Sequence, residues 1–352
     1  MASDKLPLIF SPEETKENET LKEELFKLVS SNHALLLVGT GSSAVMGYDT
    51  WDMLLLKLER LACECGDGFT VNSSSREDSP LDYVREIKKH IEERNGDLNE
   101  YHKVLYKEFS PRQPRFNDFH RTLVHLPFKG ILTTNYDTVL EAALGARNPN
   151  QAHDNSLVID EGGGQRVSEF LLSLDFDIFP KRIAHLHGRF DHPQSIILCL
   201  DDYVRSYGLR PTENGGRLKE AAPSWSLHRK ILWAILSTRR VVFIGFSMKD
   251  PYLSEMLRFV SSDLWRWNES IHYAVMDISP ENADECKSKA QELKRNYGVE
   301  TVFYENIDGT HFGLEKTIYE AARFCKVKVS PDWIETINLR MEESLGIDEN
   351  RS

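Results

Sequence analysis

The segment Thr133-Thr134-Asn135-Tyr136-Asp137 places an amide and a carboxylate directly after the apolar run Gly130 to Leu132. Polar side chains at the carboxyl end of a buried parallel strand lie where open α/β sheets bind ligands. The Asn135 amide donates and accepts, so it can hold a sugar hydroxyl or a water, and Asp137 can accept from a hydroxyl. The same two residue types equally suit the cap of a helix starting near Thr138. A second segment, Ile183-Ala184-His185-Leu186-His187-Gly188, puts Ile183, His185 and His187 on one strand face by the period of two. His187 comes last, beside a glycine, at the carboxyl edge, where a histidine can act as a general base near neutral pH. His185 lies one step further in and reads as structural. The chain has twelve histidines, so most must be bystanders.

Two glycine turns complete the set. Val38-Gly39-Thr40-Gly41-Ser42-Ser43-Ala44 fits G-x-G-x-x-[GA] after an apolar run. One glycine permits the tight turn and the next a close approach to a pyrophosphate, with N–H groups at the following helix end facing the anion. A dehydrogenase would want an acidic residue about 20 positions on, at the end of a second strand. Glu59 has that spacing but falls in a helical pattern, which counts against hydride transfer. The other turn follows Val241-Val242-Phe243-Ile244-Gly245-Phe246-Ser247. There Gly245 and Ser247 could approach the adenosine half of a dinucleotide, and Asp250-Pro251 reads as a helix cap. Asp308-Gly309-Thr310-His311 reads as a turn after the last strand. H-E-x-x-H, EF-hand, C-x-x-C, G-x-x-x-x-G-K-[ST] and G-x-S-x-G patterns do not occur in the sequence.

These segments need a sheet to gather them. Strands are expected at His33–Val38, Gly130–Thr134, Arg182–His187, Ser195–Leu200, Arg240–Phe246, His272–Asp277 and Glu300–Tyr304. Helical patterns cover Leu21–Ser30, Trp51–Ala62, Leu81–Val124 with a break at Ser110–Pro114, Asp137–Leu144, Ser226–Ser237, Pro251–Val260 and Ala283–Asn296. Asn72–Pro80, Asp160–Gln165 and Pro211–Gly216 read as loops. Alternating strands and helices imply a parallel sheet covered on both faces. The expected fold is therefore α/β, a Rossmann-like parallel sheet with helices on both faces and a helical insertion after the first strand. The expected organisation is an N-terminal arm at 1–20, a catalytic domain at 21–330 with the insertion at about 52–128, and a C-terminal tail at 331–352.

Composition bounds the function. The 352 residues are 40% hydrophobic, enough for a sizeable core, and carry a formal charge of −12. That charge argues against a broad basic face for duplex DNA, so direct nucleic-acid binding is not expected. An anionic ligand must be held by local donors against the overall field. The five cysteines are scattered and odd in number, which fits a reducing cytoplasm and argues against a zinc ribbon. No apolar run approaches the roughly 20 residues of a membrane span, and the N-terminus lacks the apolar stretch of a signal peptide.

In this order the four segments resemble the sirtuin family: a G-x-G-x-S turn (Gly39 to Ser43), T-x-N-x-D (Thr133 to Asp137), H-G (His187-Gly188) and G-x-S (Gly245 to Ser247). The resemblance covers roughly residues 30 to 320. The details are closer to the sirtuin-like NADase branch of bacterial anti-phage defence than to protein deacylases. Thr40 stands where deacylases carry alanine, Gly47 to Trp51 replaces their proline-aspartate-phenylalanine-arginine segment, and their zinc-binding cysteine quartet is missing. The Asn-Tyr-Asp version and the Asp250-Pro251 helix start match the NADase branch. The resemblance implies Asn135 and His187 as the catalytic pair, with Gly39, Thr40, Gly41, Ser42, Ser43, Thr134, Asp137, Gly245 and Ser247 lining a site for NAD as substrate, without a metal. It implies an NAD-depleting effector of abortive infection, a homo-oligomer gated by assembly or by a partner protein. A HerA-family hexameric ATPase is the favoured partner, and a short Argonaute-type protein is the other. Two further readings stay open: an NAD-dependent deacylase or ADP-ribosyltransferase, and a non-catalytic module that binds NAD or ADP-ribose and signals by assembly.

Overall fold

The computed structural model describes residues 9–146, 156–160, 164–176, 181–212, 218–221, 224–248, 250–264, 271–307 and 309–344. Helix α1 (Pro12–Ser30) leads into β1 (Ala34–Val38), which ends in the one-turn α2 (Gly41–Ala44). The insertion follows as α3 (Trp51–Glu64), α4 (Ser73–Asp78), α5 (Pro80–Asn95), α6 (Asn99–Phe109) and α7 (Asp118–His125). Then come β2 (Ile131–Thr133), α8 (Val139–Gly145), β3 (Ser156–Val158), α9 (Gly164–Ser173), β4 (Ile183–His185) and α10 (Leu200–Tyr207). A two-stranded antiparallel ribbon, β5 (Leu209–Arg210) and β6 (Lys219–Glu220), precedes α11 (Leu227–Thr238). The chain continues through β7 (Arg240–Ile244), α12 (Pro251–Asp263), β8 (His272–Ile278), α13 (Ala283–Tyr297), β9 (Val299–Glu305), α14 (Phe312–Phe324) and α15 (Pro331–Ser344).

Seven strands form one parallel sheet in the order β3-β4-β2-β1-β7-β8-β9, the expected Rossmann-like α/β arrangement. The sequence of β1, Ala-Leu-Leu-Leu-Val, is buried at every position, as a strand covered on both faces requires. Leu35 and Leu37 join the core on one face with Leu132, Val241 and Phe243. Ala34, Leu36 and Val38 join the other with Ile131, Val242 and Ile244. The insertion has its own core, in which Leu58, Ile87 and Leu105 pack with Tyr136, Phe190 and Leu198 from the loops at the sheet's carboxyl edge. From β1 the chain runs first to β2, β3 and β4 on one side and then to β7, β8 and β9 on the other. The reversal leaves a crevice at the carboxyl ends of β1 and β7, where such sheets bind ligands.

Several sequence expectations change. The arm expected at 1–20 is helical from Pro12, because Ser11 and Glu14 cap each other reciprocally and Pro12 stands at the first turn; residues 1–8 lie outside the described residues. The tail expected at 331–352 begins as α15, which buries Trp333 and Ile337 against α14 and its surroundings. The strand expected at Ser195–Leu200 is not part of the sheet. Ile196 to Leu198 are buried, but Asp202 accepts from the N–H groups of Leu198 and Cys199 and turns the chain into α10. The loop expected at Asn72–Pro80 contains α4, whose residues pack too little to show a burial pattern. The short β3, α9, α10, α14 and α15 went unrecognised. Residues 161–163, 213–217 and Asp308, from the expected glycine loops and last turn, lie outside the described residues.

At the outer edge of β9 the Asn18 side chain imitates a neighbouring strand. Its Nδ2 donates to the Phe303 carbonyl at 2.9 Å and its Oδ1 accepts from the Phe303 N–H at 2.8 Å. Pairing of this kind covers a free strand edge. Asn18→Ala is expected to lower unfolding stability by about 1–2 kcal/mol, read as a shift of the urea midpoint; an unchanged midpoint would show that the pairing contributes nothing.

Candidate active site

The two glycine turns cross in the crevice. The Gly39 N–H donates to the Ile244 carbonyl at 2.9 Å and the Gly41 N–H to the Gly245 carbonyl at 3.0 Å. A Cβ on Gly39 would sit 2.4 Å from the Gly245 oxygen, and one on Gly245 2.6 Å from the Ser42 nitrogen. Gly245 also has φ +63°, a conformation that glycine alone takes freely. The donors expected to face an anion are engaged within the turn, since the Ser42 and Ser43 N–H groups bond to the Gly39 and Thr40 carbonyls. Thr40 and Gly41 are exposed, whereas Ser42 and Ser43 are buried.

Asn135 grips this turn. Its Nδ2 donates to the Gly39 carbonyl at 3.2 Å and to Ser43 Oγ at 2.9 Å, with Ser42 Oγ at 3.4 Å. A carbonyl can only accept, so these contacts fix which end of the amide is nitrogen. The other end, Oδ1, is buried and has no hydrogen-bond partner among the described residues. A buried acceptor left open in this way is costly unless something fills it. The Ser43 hydroxyl also supports the Asp137 carboxylate, which accepts the Val139 N–H at 3.0 Å. Burial pushes the Asp137 carboxyl above its usual range despite those two donors. Thr134 is buried, and its N–H donates to the Val38 carbonyl, closing the β1–β2 edge.

Asn135 is also held from behind. His185 Nδ1 lies 2.9 Å from the Asn135 carbonyl, and its Nε2 lies 2.5 Å from Glu141 Oε1 on α8. Burial alone would push His185 down, but the Glu141 carboxylate raises it above the usual imidazole value. Burial would raise Glu141, yet the charge and N–H of His185 bring it below its usual value. From the insertion, His120 Nε2 lies 2.8 Å from the Ser42 carbonyl while its Nδ1 meets Asn117 at 2.6 Å. Burial pushes this imidazole down to about 4, so it stays neutral. Behind α7, Lys181 Nζ donates to the Val124 carbonyl at 2.9 Å and to Leu126.

His187 follows β4 as Asn135 follows β2, and the register pairs Thr133 with His185 two residues before each. The two side chains therefore stand on neighbouring strand ends. His187 Nε2 lies 2.9 Å from the Tyr207 hydroxyl and 3.7 Å from Asp250 Oδ2. Burial lowers the imidazole value, and Asp250 opposes that shift. Asn135 is 2% exposed and His187 5%. Ser247 is exposed, and its carbonyl accepts from Lys289. Glu59 lies within α3 of the insertion and accepts from Tyr83 and Arg76.

The structure thus gathers Gly39, Gly41, Ser42, Ser43, Thr134, Asn135, Asp137 and Gly245 around one turn, with His187 on the adjacent strand end. Thr40 and Ser247 lie at its exposed rim. Sequence reasoning missed Glu141, His120, Tyr203 and Tyr207. Glu141, four residues after Asp137 on a helix, had a readable spacing; His120 and the two tyrosines carried no signal.

Residues 129–302 match the model of the SIR2-like domain. This stretch of the chain is similar to a SIR2-like domain. The match contains Asn135, His185, His187 and Gly245, while the Gly39 turn precedes it. The chain is similar to the NAD(+) hydrolase ThsA of Bacillus cereus (strain MSX-D12), 25% identical over 270 residues, 77% of this chain and 48% of that protein. It is also similar to the NAD(+) hydrolase ThsA of Enterococcus faecium, 24% identical over 286 residues, 80% of this chain and 51% of that protein. The chain spans about half the length of these curated relatives.

Two outcomes test how the chain holds this site. Gly245→Ala is expected to lose about 2 kcal/mol or more of stability, because both φ and the Ser42 contact exclude a methyl. Chemical denaturation measures it, and a neutral substitution would show that the turns can move apart. Glu141→Gln is expected to cost about 3 kcal/mol by leaving His185 without its charge partner. The pH dependence has a definite sign. The raised His185 value contributes stability that is complete below pH 6.5 and fades as pH rises through its folded value. The lowered Glu141 value contributes stability present above pH 4.5 and lost as pH falls through its folded value. The difference between wild type and variant should therefore be largest between those limits and shrink at higher pH; a gap independent of pH would argue against the charged pair.

Proposed function

We propose that the chain hydrolyses the bond between nicotinamide and ribose in NAD, giving nicotinamide and ADP-ribose. The observation that carries this reading is the Asn135 amide: its nitrogen is fixed to the glycine turn, and its open Oδ1 stands one strand from His187. Mere binding of a dinucleotide requires neither an unsatisfied buried amide nor a histidine beside it. The names of the relatives, NAD(+) hydrolases, support the same reading.

The chemistry is economical. Nicotinamide leaves NAD as a neutral molecule because its ring nitrogen is cationic while bonded to C1′, so departure needs neither an acid nor a metal. The C1′–N bond breaks with its electron pair going to nicotinamide. A water oxygen bonds to C1′ and its proton passes to His187, then to solvent. Asn135 Oδ1 accepts from that water or from a ribose hydroxyl and orients it.

In the cell this activity would serve as an NAD-depleting effector in anti-phage defence, controlled by assembly or by a partner such as a HerA-family hexameric ATPase. The sequence resemblance supports that role. Support for an off state comes from the burial of Asn135 and His187 and from the internal bonding of the turn's N–H groups. Uncontrolled hydrolysis would empty a pool the host itself needs.

The test is release of nicotinamide from NAD by the purified chain, alone and with candidate partners, followed by chromatography. His187→Ala and Asn135→Ala are each expected to lose at least about a hundredfold in kcat/KM. Intact NAD in every assembly state, or full activity in both variants, would sink the proposal.

A further inference from the structure

The Asp250 carboxylate divides its two oxygens between separate tasks. Oδ1 accepts the Tyr252 and Leu253 N–H groups at 2.8 and 3.0 Å and caps α12. Asparagine or serine would cap as well, so the cap does not explain a carboxylate. Oδ2 faces the other way. It accepts from the Tyr203 hydroxyl at 3.2 Å and lies 3.7 Å from His187 Nε2. That distance is too long for a hydrogen bond and short enough for charge to matter in a buried setting.

We propose that Asp250 is a positioning residue for His187, selecting the tautomer with the proton on Nε2 and leaving Nδ1 as the basic nitrogen. The inference rests on the hydrolysis reading for its role in turnover. Nε2 touches Tyr207, whose hydroxyl could either donate to it or accept from it. If the hydroxyl donated, the nitrogen lone pair would face the Asp250 carboxylate in a buried space. If Nε2–H donates to Tyr207, the N–H dipole points toward that charge. The charge therefore decides what the hydroxyl leaves open. The Tyr207 and Asp250 contacts both fall on Nε2, so Nδ1 is the nitrogen that this tautomer leaves to a substrate.

Among the described residues, the other groups packed around His187 supply no competing charge. From α10, the Tyr203 and Tyr207 rings stack 5.8 Å apart, with Tyr203 edge-on to His187 at 5.2 Å. From α12, Tyr252 lies 4.7 Å from Tyr203, and from α11, His228 lies 5.9 Å from Tyr207. Burial holds the phenols of Tyr203, Tyr207 and Tyr252 above their usual range, so they stay protonated. Burial brings His228 down to about 4, leaving it neutral near pH 7. An aspartate that orients an imidazole and sets its tautomer acts through the histidine and never touches the reacting atoms.

The experiment compares wild type, Asp250→Asn and Asp250→Ser by nitrogen-15 NMR of the His187 ring and by the pH dependence of nicotinamide release. In wild type the ring should titrate from a neutral form protonated on Nε2. In the Asn variant, which keeps the cap, the tautomers should mix and the titration midpoint should fall, because burial is then no longer opposed. The acid limb of the rate profile should move to lower pH with it. The kcat should fall at least about tenfold with KM within about threefold, and the thermal midpoint should stay near wild type. The Ser variant should behave likewise. An unchanged tautomer and midpoint in the Asn variant would overturn the inference and reduce Asp250 to a cap. If neither variant folds, Tyr203→Phe, which removes a hydrogen bond to Oδ2, is expected to shift the His187 midpoint upward, since the carboxylate then faces the imidazolium alone; no shift would overturn it. If wild type releases no nicotinamide in any assembly state, the hydrolysis reading fails, and the NMR tautomer still decides the role of Asp250.

Discussion

The close crossing of the Gly39 and Gly245 turns is the constraint on which the site depends. Two backbones approach until no Cβ fits on either glycine. That approach needs the parallel register of β1 and β7, which brings Val38 and Ile244 level and launches both turns from the same edge. It also leaves the Gly39 carbonyl pointing where Asn135 can reach it. A sheet that paired one residue out of register would lose the crossing, and with it the fixed end of the Asn135 amide.

The helical insertion belongs to the same construction. It buries its apolar faces around Tyr136 and Phe190, which flank Asn135 and follow His187 in sequence, and around Leu198. The Tyr136 hydroxyl donates to the Ile197 carbonyl at 2.8 Å, and the Phe190 N–H returns to the Tyr136 carbonyl. His120 reaches from α7 to the carbonyl of Ser42. The insertion thus braces the turn and the loop beyond β4 together, so its packing and the geometry of the site are one energetic unit.

The parts of this architecture with a strong local pattern were legible in the sequence. Runs such as Val241 to Ile244 leave little choice but a buried strand, and glycines after two of them marked the crevice. Asn135 and His187 stood out because polar residues followed apolar runs. What escaped notice depends on distant partners. Ile196 to Leu198 read as a strand because they are apolar, yet Ile196 and Leu198 are buried by the helical insertion and Ile197 by the core beside the sheet, and Asp202 diverts the chain. The strand β3 is three residues long and alternates weakly. The capping box at Ser11 is a helix-start signal, serine followed three residues later by glutamate, but the stretch after it is charged and offers few apolar residues to mark a helix face. The trailing helix α15 was obscured the same way, its Trp333 and Ile337 diluted among acidic residues.

The two catalytic candidates are held by different kinds of structure. Asn135 is fixed by the Gly39 carbonyl, by the Ser43 hydroxyl and by a buried ion pair between a strand and the helix that follows its own loop. Releasing it means breaking the sheet edge or separating Glu141 from His185. His187 is enclosed by side chains of α10 and the start of α12: two phenols, their stacked rings and one carboxylate. α10 is a helix of eight residues tied to the sheet region by side-chain contacts and by the Asp202 turn. Each of its hydrogen bonds is worth about 1 kcal/mol net, whereas breaking a buried ion pair costs about 3–5 kcal/mol. The cover over His187 is held by burial as well, since Tyr203 and Tyr207 join the core of the sheet and Asp202 pairs with Lys88 of α5, so the insertion braces this side of the site too.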